Sequence, residues 1–82
     1  MTGYVISKDW APSPLNESVT IFATTDEAAI GNRSPAHWTP IRHHAKAWRE
    51  RRRAVAVLHA NGWHRHGWRV ENVRRYREAV QS

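Results

Sequence analysis

Hydrophobic and polar residues alternate from Gly3 to Trp10. Tyr4, Ile6, Lys8 and Trp10 share one side, and Val5, Ser7 and Asp9 take the other. A period of two predicts a β-strand. Ala11-Pro12-Ser13-Pro14 ends it, because prolines cannot continue a hydrogen-bonded ladder. Ser18 to Thr24 (SVTIFAT) predicts a second strand, rich in β-branched residues, with Val19, Ile21 and Ala23 on one face. The two strands predict a hairpin, which is not stable alone and must pack on something.

Helical patterning follows. Thr24 with Glu27 three residues later has the spacing of a capping box and predicts a short helix over DEAAI, closed by Gly31-Asn32. The strongest helix signals run from Thr39 to Gly62. Thr39 is a good N-cap, Pro40 suits the first helical position, and Asn61-Gly62 supplies a left-handed stop. At 100° per residue, Ile41, Ala45, Trp48 and Val55 fall on one side of this helix, and Arg42, Lys46, Arg49 and Arg53 fall nearly opposite. Val55 to Leu58 is apolar nearly all round, so the second half is expected to be buried and the first half to project. WHRHGW makes a tight connection to a last helix over residues 68–80, with Val73, Tyr76 and Val80 on one side and Glu71 spaced to pair with Arg75.

The expected fold class is α+β: an N-terminal β-hairpin packed on a C-terminal helical hairpin with one long basic helix. It forms one small domain over residues 1–82, divided into a hairpin, short helix and loop (1–38), the long helix (39–62) and the last helix (68–80). At 82 residues the chain is near the lower limit for folding on one core, and it has no cysteine to provide a disulfide or a thiolate metal site. Five tryptophans can supply the missing core area. No apolar run approaches the ~18 residues of a membrane span, and the first ten residues lack the pattern of a signal peptide. A cytoplasmic protein with no membrane partner is expected.

Charge changes the picture most. The formal net charge is +6, and it is unevenly distributed. Residues 1–41 set Lys8 and Arg33 against Asp9, Glu17, Asp26 and Glu27, while eleven of the thirteen Lys and Arg residues lie beyond them. A basic half of this kind indicates a polyanion or an acidic surface as partner. Arginine outnumbers lysine eleven to two. That ratio suits bidentate phosphate or carboxylate recognition, and a GC-rich genome gives the same bias.

The candidate interface is the ridge of Arg42, Lys46, Arg49 and Arg53, about 16 Å long at 1.5 Å per helical residue. Glu50 would partly neutralise it through Lys46 and Arg53. Arg52 projects within the apolar stripe, to snorkel past Trp48 or to pair with an acid from the hairpin. Arg51 and Arg52 widen the ridge, and Arg65, Arg69, Arg74, Arg75 and Arg77 extend a second basic surface. The alternative is a solvated face that keeps a small protein soluble.

Six histidines raise the question of a metal. His43 and His44 point about 100° apart on a regular helix, and His64 with His66 would be two ligands only, so no metal site is expected. His59 falls on the Ile41 side and reads as a core histidine. Trp63 and Trp68 flank a basic turn and could stack on unpaired bases, although packing beneath a helix–helix corner is the commoner role. No nucleophile–base pair, Gly-rich phosphate loop or paired carboxylates are present, so no catalytic residue, cofactor or enzymatic activity is expected.

Two stretches resemble known families. Trp48 to Gly67 resembles the lead-in of phage and bacterial HNH endonucleases, but that family's zinc-binding cysteines and His-Asn-His core are absent, so nuclease activity does not carry over. Leu58 to Ala79, with NGW…WRVENVRRYREA, resembles the helix–loop–helix DNA-binding end of actinobacterial nucleoid-associated proteins. Arg69 and Tyr76 match, and the R-G-R that enters the minor groove is missing.

The expected function is therefore a small non-enzymatic nucleic-acid-binding protein, with DNA favoured over RNA. The alternative is a protein–protein interaction module. A compact phage-encoded inhibitor or an accessory subunit, docking its basic face on an acidic surface of a host nucleic-acid machine, would carry the same features.

Overall fold

A computed structural model describes residues 3–11, 18–31 and 33–72. Strands β1 (Tyr4–Trp10), β2 (Val19–Ala23) and β3 (Trp38–Thr39) come first, followed by helix α1 (Arg51–Ala60) and strand β4 (Arg69–Asn72). β1 pairs antiparallel with β2, placing Lys8 opposite Ile21 and Trp10 opposite Val19. Its other edge pairs antiparallel with β4, with Ile6 opposite Val70. β3 extends the far side of β2, where Trp38 lies opposite Ala23. The result is a four-stranded antiparallel sheet in the order β3-β2-β1-β4 with one helix, a mixed α+β fold.

The alternation along β1 and β2 decides which side is covered. Ile6, Ile21 and Ala23 join Trp48, Ala54, Leu58, Trp63 and Trp68 in one buried cluster, with Tyr4, Val57 and Val70 packed against it. Ala54 and Leu58 are four apart and so lie on one face of α1, which packs on β1 and β4. Trp63 is fully buried. An aromatic of that size removes ~150–250 Å² from water, worth roughly 4–6 kcal/mol as an upper figure. Trp48 and Trp68 add comparable surface, which is how so short a chain fills a core. The opposite sheet face carries Val5, Ser7 and Phe22, which are buried as well.

Three expected helical stretches differ from expectation over the described residues. The long helix of residues 39–62 is reduced to α1. Thr39 pairs in β3, and its Oγ1 accepts the Ile41 N–H at 3.1 Å instead of capping a helix. Arg42–His44 is a single 3-10 turn. Beyond it the backbone is committed to the sheet: the Lys46 N–H donates to Ala23 O at 2.9 Å, and Trp48 and Tyr4 exchange two hydrogen bonds of 2.8 Å. Where β2 leaves β1, Trp48 takes its place, and this extended crossing buries the indole. A residue bonded sideways to a strand cannot also bond four residues back, so the helix starts only after Glu50.

The end of that helix falls where the sequence puts it. Asn61 follows the last turn, its Nδ2 donates to Val57 O at 3.1 Å, and Gly62 adopts a left-handed φ of 70°. The helix expected over residues 68–80 is contradicted at its start. Residues 69–72 are β4, because Val70 completes the core row beside Ile6 and β1 offers a free edge. The remainder, residues 73–80, lies outside the described residues. The helix–loop–helix implied by the nucleoid-protein resemblance likewise meets β4 at residues 69–72, and its remaining part lies outside the described residues. DEAAI is not a helix either: Ala28 bridges Pro35, and the Ala29 and Ala36 N–H groups donate to Ser34 and Glu27 carbonyls at 2.9 and 2.8 Å. Thr25, not Thr24, supplies the side-chain oxygen to Glu27 N–H, at 3.1 Å.

Candidate nucleic-acid interface

Loss of the long helix dissolves the ridge as a helical strip. Arg42 stands in the 3-10 turn, half-buried. Lys46 stands in the crossing segment, its Nζ 5.6 Å from the centre of the Trp48 ring, within reach of a cation–π attraction. Arg49 is exposed in the bend before α1, and Arg53 is exposed in its first turn.

The structure keeps part of that set together. Arg49, Arg51, Arg52 and Arg53 surround Glu50 at the start of α1, all exposed. Arg52 Nε donates to Glu50 Oε2 at 2.7 Å, and Arg53 Nε lies 3.6 Å from the same oxygen. The partner of Arg52 is therefore its own neighbour, and Arg52 neither snorkels past Trp48 nor reaches the hairpin. Arg49 and Arg51 make no ion pair among the described residues, so the cluster keeps a strong positive excess.

The local electrostatics are unusual. The first turn of α1 holds no acidic residue, and Glu50, in extended backbone before it, makes no capping hydrogen bond with its side chain. The unpaired N–H groups of a helix start carry about half a positive charge, and cations there are disfavoured by ~0.3–1 kcal/mol each at low salt. Three consecutive arginines add their charge to the positive end of the helix.

Arg65 is exposed in the 3-10 turn Trp63–His66, which positive-φ glycines bound on both sides. Arg69 is engaged differently. Its Nη2 lies 3.2 Å from Asp9 Oδ1, and its Nε lies 3.0 Å from Glu71 Oε1. Thr20 Oγ1 donates to the same Asp9 oxygen at 3.1 Å, so one row of side chains ties β4, β1 and β2. The hydrogen bond from Arg69, aided by that from Thr20, holds the Asp9 carboxyl below its usual value. Partial burial pulls the Arg69 guanidinium down, and its bonds to Asp9 and Glu71 more than offset this, leaving it raised. Glu71 thus pairs with Arg69 in the described structure. Arg74 and Arg77 of the expected second surface, and Arg75 as partner for Glu71, lie outside the described residues.

The histidines pair but do not cluster. His43 and His44 rings are 4.5 Å apart, and His59 and His64 rings 4.2 Å apart. His59 is exposed, which corrects its reading as a core residue. Among the described residues no three His, Asp or Glu side chains are placed to hold a metal ion, and no helix is long and apolar enough to cross a membrane.

The tryptophans divide sharply. Trp63 and Trp68 are buried, their ring centres 6.5 Å apart, so neither presents a face to a ligand. Trp10 and Trp38 are 39% and 44% exposed and touch each other, with ring centres 5.5 Å apart. No local pattern in the sequence marks this pair as a surface feature. The available signal was a surplus of tryptophan, with Trp10 and Trp38 each placed beside a proline-containing stretch. Searches against protein-family models, curated proteins and solved structures return no match to this chain.

Proposed function

We propose that this protein binds nucleic acid through the cationic surface at the start of α1, without catalysis. The observation that carries the reading is the exposed group Arg49, Arg51, Arg52 and Arg53 at an uncapped helix start. Phosphate oxygens suit both halves of that arrangement, since arginine forks pair with them and helix N-terminal N–H groups point at them. Lys46, in the segment just before the helix, adds to the charge. Arg69 is left out of the contact set, because Asp9 and Glu71 already take its charge.

The test is a salt titration of binding to DNA and RNA oligonucleotides. Each phosphate neutralised on duplex DNA contributes about −0.9 to the slope of log K against log salt, so four arginines give about −3 to −4. Arg49→Ala with Arg51→Ala should shallow that slope by about two and weaken all sequences alike. The fold should be retained, since both side chains are exposed. Absence of binding to any DNA or RNA at low salt would refute the proposal. The second reading, docking on an acidic protein surface, draws on the same exposed cations. It predicts capture of a partner from nuclease-treated lysate that the double substitution abolishes.

A further inference from the structure

Cross-strand register places Trp10, Val19, Lys8, Ile21, Ala23 and Trp38 on the side of the sheet that α1 also covers. The helix packs on β1 and β4. The β2–β3 half is left to the two indoles, which are tilted 58° to each other and both open to solvent. Val19 and Ile41 are exposed as well. Roughly 100 Å² of each indole stays in water, and contiguous apolar surface of a few hundred Å² on a small protein marks a contact site.

Cations lie near the pair. Ala23, the cross-strand partner of Trp38, accepts the Lys46 N–H, so Lys46 and Trp38 border the same residue. Lys8 follows Trp10 along β1 on the same face and lies against Gly67, its Cε 3.7 Å from where a Cβ would stand. Gly67 ends the turn that carries His64, Arg65 and His66. Lys8, with the turn that carries Arg65 beyond it, therefore lies on the β1 side of the indole pair.

We propose that Trp10 and Trp38 form a stacking platform for unpaired bases, so that single-stranded nucleic acid is the ligand. This deepens the function proposed above and rests on it. Bases within a duplex are stacked on one another and offer no free face, whereas a single strand can lay one base on each indole while its phosphates follow the cations. A neutral sugar chain would supply no anions for the neighbouring Lys8 and Arg65.

The experiment compares a single-stranded oligonucleotide with a duplex of the same length by fluorescence anisotropy, for the parent, Trp10→Ala, Trp38→Ala and Trp38→Phe. Thermal melts serve as the fold control. The parent should prefer the single strand. Each alanine variant should weaken single-strand binding about 5- to 100-fold, the range seen when one stacking aromatic is removed. The salt slope should not change, and Trp38→Phe should recover much of the loss. Equal binding to both forms, unaffected by either alanine variant, would overturn the platform while leaving the cationic interface standing. No binding of either form at low salt would overturn both. A nuclease-resistant protein partner lost in Trp10→Ala and Trp38→Ala, with single-strand binding unchanged, would reassign the pair to protein docking. Should an alanine variant fail to fold, Trp10→Leu and Trp38→Leu decide, since leucine keeps apolar bulk to pack but offers no flat face to stack, and each should lose single-strand binding as the alanine variants would.

Discussion

The start of α1 is electrostatically opposed to its own helix, and a single substitution exposes the conflict. Arg51 is the first helical residue, is exposed, and makes no ion pair among the described residues. Arg51→Glu therefore removes no interaction of its own. It deletes a cation from the positive end of the helix and adds an anion there, each change worth ~0.3–1 kcal/mol at low salt. The gain should be about 1 kcal/mol, or roughly 4–8 °C in melting temperature for a domain of this size. Thermal melts followed by circular dichroism at low and high salt measure it, and Arg51→Ala should give about half the effect. Both gains should shrink as salt screens the charges. The same variant should bind anionic ligands more weakly, since a neutralising contact becomes a repulsive one. A fall or no change in the melting temperature of Arg51→Glu at low salt would show that the helix end does not govern this site.

Two further outcomes follow from the sheet. Ser7 is fully buried on β1, and among the described residues its Oγ finds no hydrogen-bond partner, a defect costing ~1–3 kcal/mol; Ser7→Ala should leave stability equal or raise it by about 1 kcal/mol in urea unfolding, and a clear loss would mean that the hydroxyl is satisfied. The Asp9 carboxyl is held below its usual value by Arg69 and Thr20, so its contribution is present above the unfolded value near pH 4 and disappears as pH falls through the lower folded value. Because the pair is exposed, the difference between the parent and Asp9→Asn should be within about 1 kcal/mol at neutral pH. It should vanish in acid, and a difference that persists there would point to a cause other than ionisation.

The parts of the fold legible in the sequence are those that local rules determine. Alternation at Tyr4–Trp10 needs only its own period, and Asn61-Gly62 stops a helix wherever one arrives. The beginning of that helix was illegible because its competitor is non-local: Thr39-Pro40 reads as a helix start until Phe22 pairs with Thr39 and Tyr4 with Trp48. β4 was missed for a related reason. WRVEN alternates over too few residues to outweigh a helical reading, and only the open edge of β1 decides it. The same distinction runs through the candidate site. Arg49 and Arg51–Arg53 lie together because they are adjacent in the chain, so their cluster survives any change of secondary structure. The ridge linking Arg42 to Arg53 depended on helical phase and was lost with it. Contact between Trp10 and Trp38 depends on two separate strand pairings, which no local pattern encodes.

Natural sequences tend to break the rules of stability where function requires it, and the surface of this protein breaks them twice. Three arginines occupy the helix end that disfavours cations, at a combined cost of about 1–3 kcal/mol. Two tryptophans leave roughly 200 Å² of indole in water, about 5 kcal/mol of burial not realised at 25 cal/mol per Å². The Ser7 hydroxyl and the Trp63 and Trp68 Nε1 groups, without partners among the described residues, are also imperfect, but they are buried and present nothing to a ligand. The two surface departures call for different chemistry, since one asks for anions and the other for flat apolar faces. A partner supplying only anions would leave the tryptophans unexplained, and an apolar protein patch would leave the arginines opposed. A single strand of nucleic acid carries phosphates and exposed bases on one chain, and so answers both. This is why the Arg51→Glu and Trp38→Ala substitutions belong in one experiment: the first should raise stability and weaken the salt-dependent part of binding, and the second should remove the preference for unpaired bases. If the two variants instead had indistinguishable effects on strand preference and salt slope, the surface would not be divided as the structure divides it.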